Sequence, residues 1–271
     1  MKSLPIIALL LGTSFSFAQN AASNQNKEDA VTRDVRFVIA GTRPLPVFKM
    51  QGNESVEVDP PSELIPPTAI EILSGKEDLP ASTKTPTKIV ASTNMIAPLP
   101  GLKSVSKIRL KLSRPMFDSA ASQEVECDLG DIIRPLIVIS ASPGKGAWDS
   151  PQVRVIDVSN QAFPIRHAML INLSSIPLMV GIDATTTKID PTNRGLFPLA
   201  PGDAPTRYRV DAIGPTGSVT IANSAYRVGA NSRLIMMAIP DRSPQGQAPI
   251  SLRMVTDAVQ SIPINTPAVP R

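Results

Sequence analysis

The chain of 271 residues carries 28 Pro and 15 Gly but only one Trp, two Tyr and seven Phe, and its 27 Lys and Arg against 23 Asp and Glu leave a net charge of +4. Proline at this density excludes a helical bundle, because the ring lacks an N–H and clashes with the preceding helical turn. Charges scattered singly exclude the clustered basic stripe of a nucleic-acid-binding protein.

Residues 1–18 read as a secretory signal peptide. Lys2 supplies the positive start, Leu4 to Leu11 the apolar stretch, and Ser16-Phe17-Ala18 the small residues ahead of a cleavage after Ala18. The apolar stretch is shorter than the ~20 residues a membrane-spanning helix needs. The expected location is therefore periplasmic or secreted, with no transmembrane segment in the mature chain. Residues 19–33 are polar and amide-rich, the composition of a flexible linker.

Short apolar runs then recur between turn signals. Val35 to Ala40, Val47 to Met50, Ser55 to Val58 and Ala69 to Leu73 come first. Lys107 to Leu112 alternates strictly, with Ile108, Leu110 and Leu112 on one face and Lys107, Arg109 and Lys111 on the other, which predicts a strand with one side in a core and the other in water. Ser122 to Cys127 follows. Ile132 to Ser140 is apolar throughout, as expected of a strand buried on both faces, with a break or bulge at Pro135. Val153 to Val158 alternates again. His167 to Leu173 and Leu178 to Ile182 flank Ser174-Ser175-Ile176-Pro177, which reads as a hairpin connection. Leu196 to Leu199, Arg207 to Ile213, Ser218 to Ala222, Ser232 to Ile239 and Ile250 to Val255 complete the series.

No apolar stripe at helical spacing persists over three turns without a proline. The fold class expected is all-β, an antiparallel β-sandwich architecture in two sandwich-like units. A division near residues 114–121 gives an N-terminal β domain at 34–117 and a C-terminal β-sandwich domain at 118–258, the runs at 132–140 and 153–158 being able to pair with either. Residues 259–271 form a Pro-rich tail.

A strand ending in Asp157 is followed by Ala162-Phe163-Pro164, then Asn172-Leu173-Ser174, Pro177, Val180-Gly181-Ile182, Leu199-Ala200-Pro201-Gly202, and an Arg-led apolar strand from Arg233 to Ile239. Over about a third of the chain this resembles a family of uncharacterised bacterial secreted β-sandwich proteins. It departs from that pattern at Ile165-Arg166-His167, where a glycine turn would be usual. The resemblance implies a fold and export, and no activity.

Chemistry-bearing residues are sparse. His167 is the single histidine, so a zinc site on two or three imidazoles is impossible. A catalytic triad would have to join His167 to Ser174 or Ser175, without a Gly-x-Ser-x-Gly elbow. Asp183, Asp190 and Asp203 lack the tight spacing of a calcium loop. Glu54, Glu57, Glu63, Glu71, Glu124 and Glu126 supply carboxylates, of which Glu124 and Glu126 read as one solvated strand face. Ser142-Pro143-Gly144-Lys145-Gly146 is a turn rather than a phosphate loop. Cys127, the single cysteine, reads as a small residue packed at a strand end, and Trp148 as a cap on the core at a sheet edge. Met236 and Met237 point to opposite sides of their strand, one into a core and the other under a neighbouring sheet or toward a partner.

These residues assign no catalytic, metal or cofactor site and leave the ligand-binding residues unknown. The expected role is non-enzymatic binding or scaffolding in the cell envelope, with another envelope protein or a glycan as partner. One alternative is a carbohydrate-binding module on which Trp148, Tyr208 and Tyr226 converge. The other is a weak hydrolase centred on His167.

Overall fold

A computed structural model describes residues 31–73, 87–104, 106–114, 122–142, 148–200, 204–240 and 250–259. The expected signal peptide, residues 19–30 of the expected linker, most of the 114–121 segment and all of the expected tail beyond Val259 lie outside them.

The described residues form strands and a single turn of 3-10 helix at Ser62–Leu64. The strands are β1 (Val31–Ala40), β2 (Val47–Gln51), β3 (Glu54–Val58), β4 (Ala69–Ile72), β5 (Thr87–Val90), β6 (Ile96–Ser104), β7 (Lys107–Ser113), β8 (Gln123–Asp128) and β9 (Pro135–Ser140). They continue with β10 (Gln152–Asp157), β11 (His167–Asn172), β12 (Leu178–Ile182), β13 (Thr185–Ile189), β14 (Arg194–Pro198), β15 (Thr206–Gly214), β16 (Gly217–Tyr226), β17 (Ser232–Pro240) and β18 (Ile250–Ala258). The all-β expectation holds.

Four four-stranded sheets stack face to face. The first unit has an outer sheet ordered β5-β4-β7-β8 and an inner sheet ordered β10-β9-β1-β6. Val35, Phe37, Ile39, Ile137 and Ile139 of the inner sheet meet Ile70, Ile108, Leu110 and Leu112 of the outer one. The second unit has an inner sheet ordered β14-β11-β17-β18 and an outer sheet ordered β13-β12-β15-β16. Ala168, Leu170, Leu234 and Met236 there meet Leu178, Val180 and Val210. A third core lies between the two inner sheets, where Val38, Leu136, Val138 and Ile156 face Met169, Ile171, Ile235, Met237 and Ile239.

This stacking explains the unbroken apolar runs. β1, β9, β11 and β17 sit in the middle layers, so both faces of each are covered and alternation disappears. Met236 faces the second unit's own core, while Met237 faces the first unit. The two parallel pairings between described strands, β1 with β9 and β11 with β17, fall among these same strands, and every other pairing between described strands is antiparallel.

The two units share one topology. β1 and β4 to β10 of the first correspond in order, sheet and pairing direction to β11 to β18 of the second. The β2–β3 hairpin has no counterpart among the described strands. The first unit runs from β1 to β4 through residues 41–68; the second runs from β11 to β12 through residues 173–177 alone.

Several local expectations change. Ser174 to Pro177 is not a hairpin connection, because β11 and β12 belong to different sheets of their sandwich. The runs at 132–140 and 153–158 supply β9 and β10, which extend the sheet containing β1. β1 begins at Val31, ahead of the linker end expected at 33, and Arg33 is buried, donating to Ser104 Oγ at 3.1 Å and to the Gly130 carbonyl at 2.8 Å. Pro135 opens β9 rather than interrupting it. β5, β6 and β13 carried no strand signal: β6 contains Pro98 and Pro100, tolerated because it is an edge strand, and β13 is a threonine-rich edge exposed over most of its length.

Candidate interaction site

The β2–β3 hairpin is built from Val47-Phe48-Lys49-Met50-Gln51 and Glu54-Ser55-Val56-Glu57-Val58, paired antiparallel from Val47↔Val58 to Gln51↔Glu54. Its two-residue turn places Gly52 at φ +66°, a conformation open to glycine without a Cβ penalty. The hairpin is a two-stranded sheet of its own, and every residue of β2 is exposed. Leu45 is 83% exposed, Phe48 70%, Met50 68% and Val47 54%. Phe48 and Met50 share one face of the ribbon with Glu57 and Ser55; Val47 and Lys49 share the other with Val58 and Val56. No other short segment of the described chain concentrates exposed apolar side chains in this way.

The base of the insertion is held firmly. Asn94 Nδ2 donates to the Gly41 carbonyl at 2.7 Å, and the Gly41 N–H donates to Asn94 Oδ1 at 3.3 Å. The indole of Trp148 lies directly on Gly41, where a Cβ would come within 2.4 Å of Trp148 Cζ2. The Trp148 N–H donates to the Glu63 carbonyl at 2.6 Å, near the far end of the insertion. Arg114 Nη2 donates to the Trp148 carbonyl at 2.9 Å. Trp148 thus caps the first unit's core and bolts both ends of residues 41–68 to it. A shallow surface hollow beside it, lined by Pro67, Leu112, Arg114, Gln123, Trp148 and Pro151, encloses essentially no volume, against the ~300–1,000 Å³ of a small-molecule pocket.

An ionic chain, buried at Arg36, Asp257 and Arg233 and partly exposed at Asp34 and Arg134, crosses the junction of the inner sheets. Arg134 Nε donates to Asp34 Oδ2 at 3.1 Å, and Arg36 Nη2 lies 3.5 Å from the same oxygen. Arg36 Nη1 also donates to Asp257 Oδ1, and Arg233 Nε lies 3.3 Å from Asp257 Oδ2. Arg233 is fully buried, donates to the Val158 and Phe163 carbonyls, and sits 5.0 Å over the Phe163 ring. Desolvation, the largest effect, pushes its pKa down, and Asp257 opposes this. Buried pairs of this kind add little net stability, since desolvation cancels much of the attraction, but losing one partner is costly. The ionic chain's Arg36–Asp257 link joins a strand of the first unit to a strand of the second.

The outer face of the first unit neutralises itself. Lys88, Glu71, Lys111 and Glu124 form one row across β5, β4, β7 and β8; Arg109 pairs with Glu126, Lys107 with Asp128, and Lys107 Nζ is 3.2 Å from Glu126. Glu124 and Glu126 are on this solvated face, as expected. On the second unit's outer face Arg209 Nε donates to Asp211, which also accepts from Thr220 Oγ1.

The remaining candidates are scattered. His167 opens β11 with Nδ1 3.1 Å from the Ile165 carbonyl, and Ser174 and Ser175 lie beyond the other end of that strand, about 20 Å away by strand rise. Ser174 Oγ donates to Asn172 Oδ1 at 2.7 Å within a buried turn. Asp183 Oδ1 accepts from the Arg207 N–H, Asp190 pairs with Lys188, and Asp203 lies outside the described residues. No group of three His, Cys, Asp or Glu able to hold a metal occurs among the described residues. Glu54 and Glu57 are on the hairpin, and Glu63 is in the 3-10 turn. Of the Ser142–Gly146 turn only Ser142 is described, donating to the Ser150 carbonyl.

Trp148 and Tyr208 are buried in different cores, and Tyr226 pairs its hydroxyl with Thr256 at 3.1 Å, so the three aromatics form no common platform. Cys127 is buried in the first core, where desolvation chiefly, with Glu126 adding, pushes its thiol up to about 12. No helix among the described residues is long and apolar enough to cross a membrane.

No protein-family model and no curated relative matches the chain.

The hairpin's exposure was not legible in sequence. Val47 to Met50 and Ser55 to Val58 read as ordinary sandwich strands, and nothing in their pattern says that neither face is covered. The available signal was isolation: Pro44 and Pro46 on one side and Pro60 and Pro61 on the other cut the ribbon off from the strands around it.

Proposed function

We propose that this is an exported, non-enzymatic binding or scaffolding protein of the cell envelope, and that it engages another protein through the β2–β3 hairpin. The observation that carries the proposal is the concentration of exposed Leu45, Val47, Phe48 and Met50 on a hairpin that the second unit folds without. Apolar side chains clustered on a surface are a hallmark of contact sites. The Trp148–Gly41 clamp supports the same role, since an anchored base presents the ribbon in a fixed pose and lowers the entropy lost on docking. The two sandwiches, packed through a shared core, carry it.

Export is supported by the leader pattern at residues 1–18 and by the resemblance to secreted bacterial β-sandwich proteins. A non-enzymatic role is supported by the dispersal of His167, the serines and the carboxylates across separate elements. The test is capture from the source organism's own envelope fraction, comparing the wild-type chain with a Phe48→Ser, Met50→Ser variant of unchanged circular dichroism. Partners should be retained by the wild type and lost by the variant. Equal capture by both would refute the hairpin as the contact.

A further inference from the structure

The hairpin is polarised in charge. Residues 43–51, which include β2, carry Arg43 and Lys49 and no acid; residues 54–63, which include β3, carry Glu54, Glu57, Asp59 and Glu63 and no base. Each strand pairs only with the other, so each presents an open edge of backbone donors and acceptors among the described strands. Two-stranded ribbons are marginal alone and gain from a third strand, and open edges recruit one.

We propose that the hairpin docks beside the hairpin of a second copy of this chain, β2 of one against β3 of the next. Laid side by side in the same orientation, two copies give the order β2-β3-β2-β3, in which every junction is antiparallel. The basic edge then meets the acidic edge, and in matching register the Val47–Val58 row continues from one ribbon to the next, while on the other face Phe48 alternates with Glu57. The contact joins two different surfaces, so it leaves an open edge at each end and extends to rings or short filaments rather than closing at a dimer. A lipid surface fits less well, because four carboxylates on the β3 side would face anionic headgroups. The inference narrows the contact role proposed above to a particular partner.

Sedimentation velocity of the full secreted chain tests it. The wild-type sedimentation coefficient should rise with concentration and fall back in about 0.5 M salt, where exposed pairs are screened. Arg43→Glu with Lys49→Glu makes both edges acidic, and Glu54→Lys with Glu57→Lys and Asp59→Lys makes both basic; each variant alone should stay monomeric. Mixing the two should restore association, because unlike edges meet again. A wild type that is monomeric at every concentration overturns the inference, as does association that survives either charge reversal. If the wild type is monomeric yet the Phe48→Ser, Met50→Ser variant still loses its envelope partner, the occupant is a different protein and only the self-docking is refuted.

Discussion

Replacing Asp257 by Asn tests whether the ionic chain locks the two sandwiches together. Asp257 is 4% exposed and serves two guanidiniums at once, accepting from Arg36 and lying 3.3 Å from Arg233 Nε. The amide is nearly isosteric, so packing is preserved while the charge is lost. Arg36 and Arg134 then share Asp34, and Arg233 loses the carboxylate it lies against. Breaking a buried pair in this way costs about 3–5 kcal/mol, against a total stability of about 5–15 kcal/mol for a typical fold. Urea unfolding reads the loss, and Trp148 makes the assay specific, because this single Trp lies in the first unit's core while far-UV circular dichroism reports both units. In the wild type the two transitions should coincide. In the variant they should separate, the dichroism falling before the fluorescence as the second unit detaches. Adding Arg36→Met returns the cluster to its original net charge, so the double variant should lose less than the sum of the two single changes. A cost below about 1 kcal/mol with coincident transitions would refute the locking role, since that is the size expected of an exposed pair.

Gly41→Ala should destabilise by about 1–3 kcal/mol, as overpacking does, because its Cβ would fall 2.4 Å from the Trp148 ring; urea midpoints check this, and unchanged Trp148 fluorescence with an unchanged midpoint would contradict the clamp. Thr192 holds φ +68° while its N–H donates to the Asn172 carbonyl and its own carbonyl accepts from Arg154, contacts that glycine would keep. Thr192→Gly should therefore stabilise by about 1 kcal/mol, the scale of a left-handed β-branched residue, measured by thermal unfolding. The Cys127 thiol has its folded pKa raised from 9.0 to about 12, so the folded state keeps a proton that the unfolded chain releases. Stability is full below pH 9 and should fall above it by up to about 1.4 kcal/mol per pH unit. Cys127→Ala should remove that slope in urea titrations between pH 8 and about 11, and an unchanged slope would show that other groups cause it.

The alternation of Lys107 to Leu112 was enough to place Ile108, Leu110 and Leu112 inside and the charges outside, since one face of β7 packs and the other meets water. β6, with Pro98 and Pro100, shows where such reading stops: a proline that breaks a central strand costs little on an edge, and edge or centre is settled by pairing with β1, far away in sequence. The break at Ser174 to Pro177 was visible too, but a chain reversal and a crossover between sheets use the same turn residues, so the choice fell to what packed around β12.

Local composition therefore determined that the described chain is a succession of short strands with oily sides, because the period of two and the prolines act within a few residues. Only the tertiary structure decided that β1, β9, β11 and β17 are covered on both faces, that Arg233 and Asp257 meet Arg36 across two sandwiches, and that Phe48 and Met50 are left in water. Burial is a property of what arrives from elsewhere in the chain, and an apolar residue looks the same in sequence whether or not a second sheet comes to cover it.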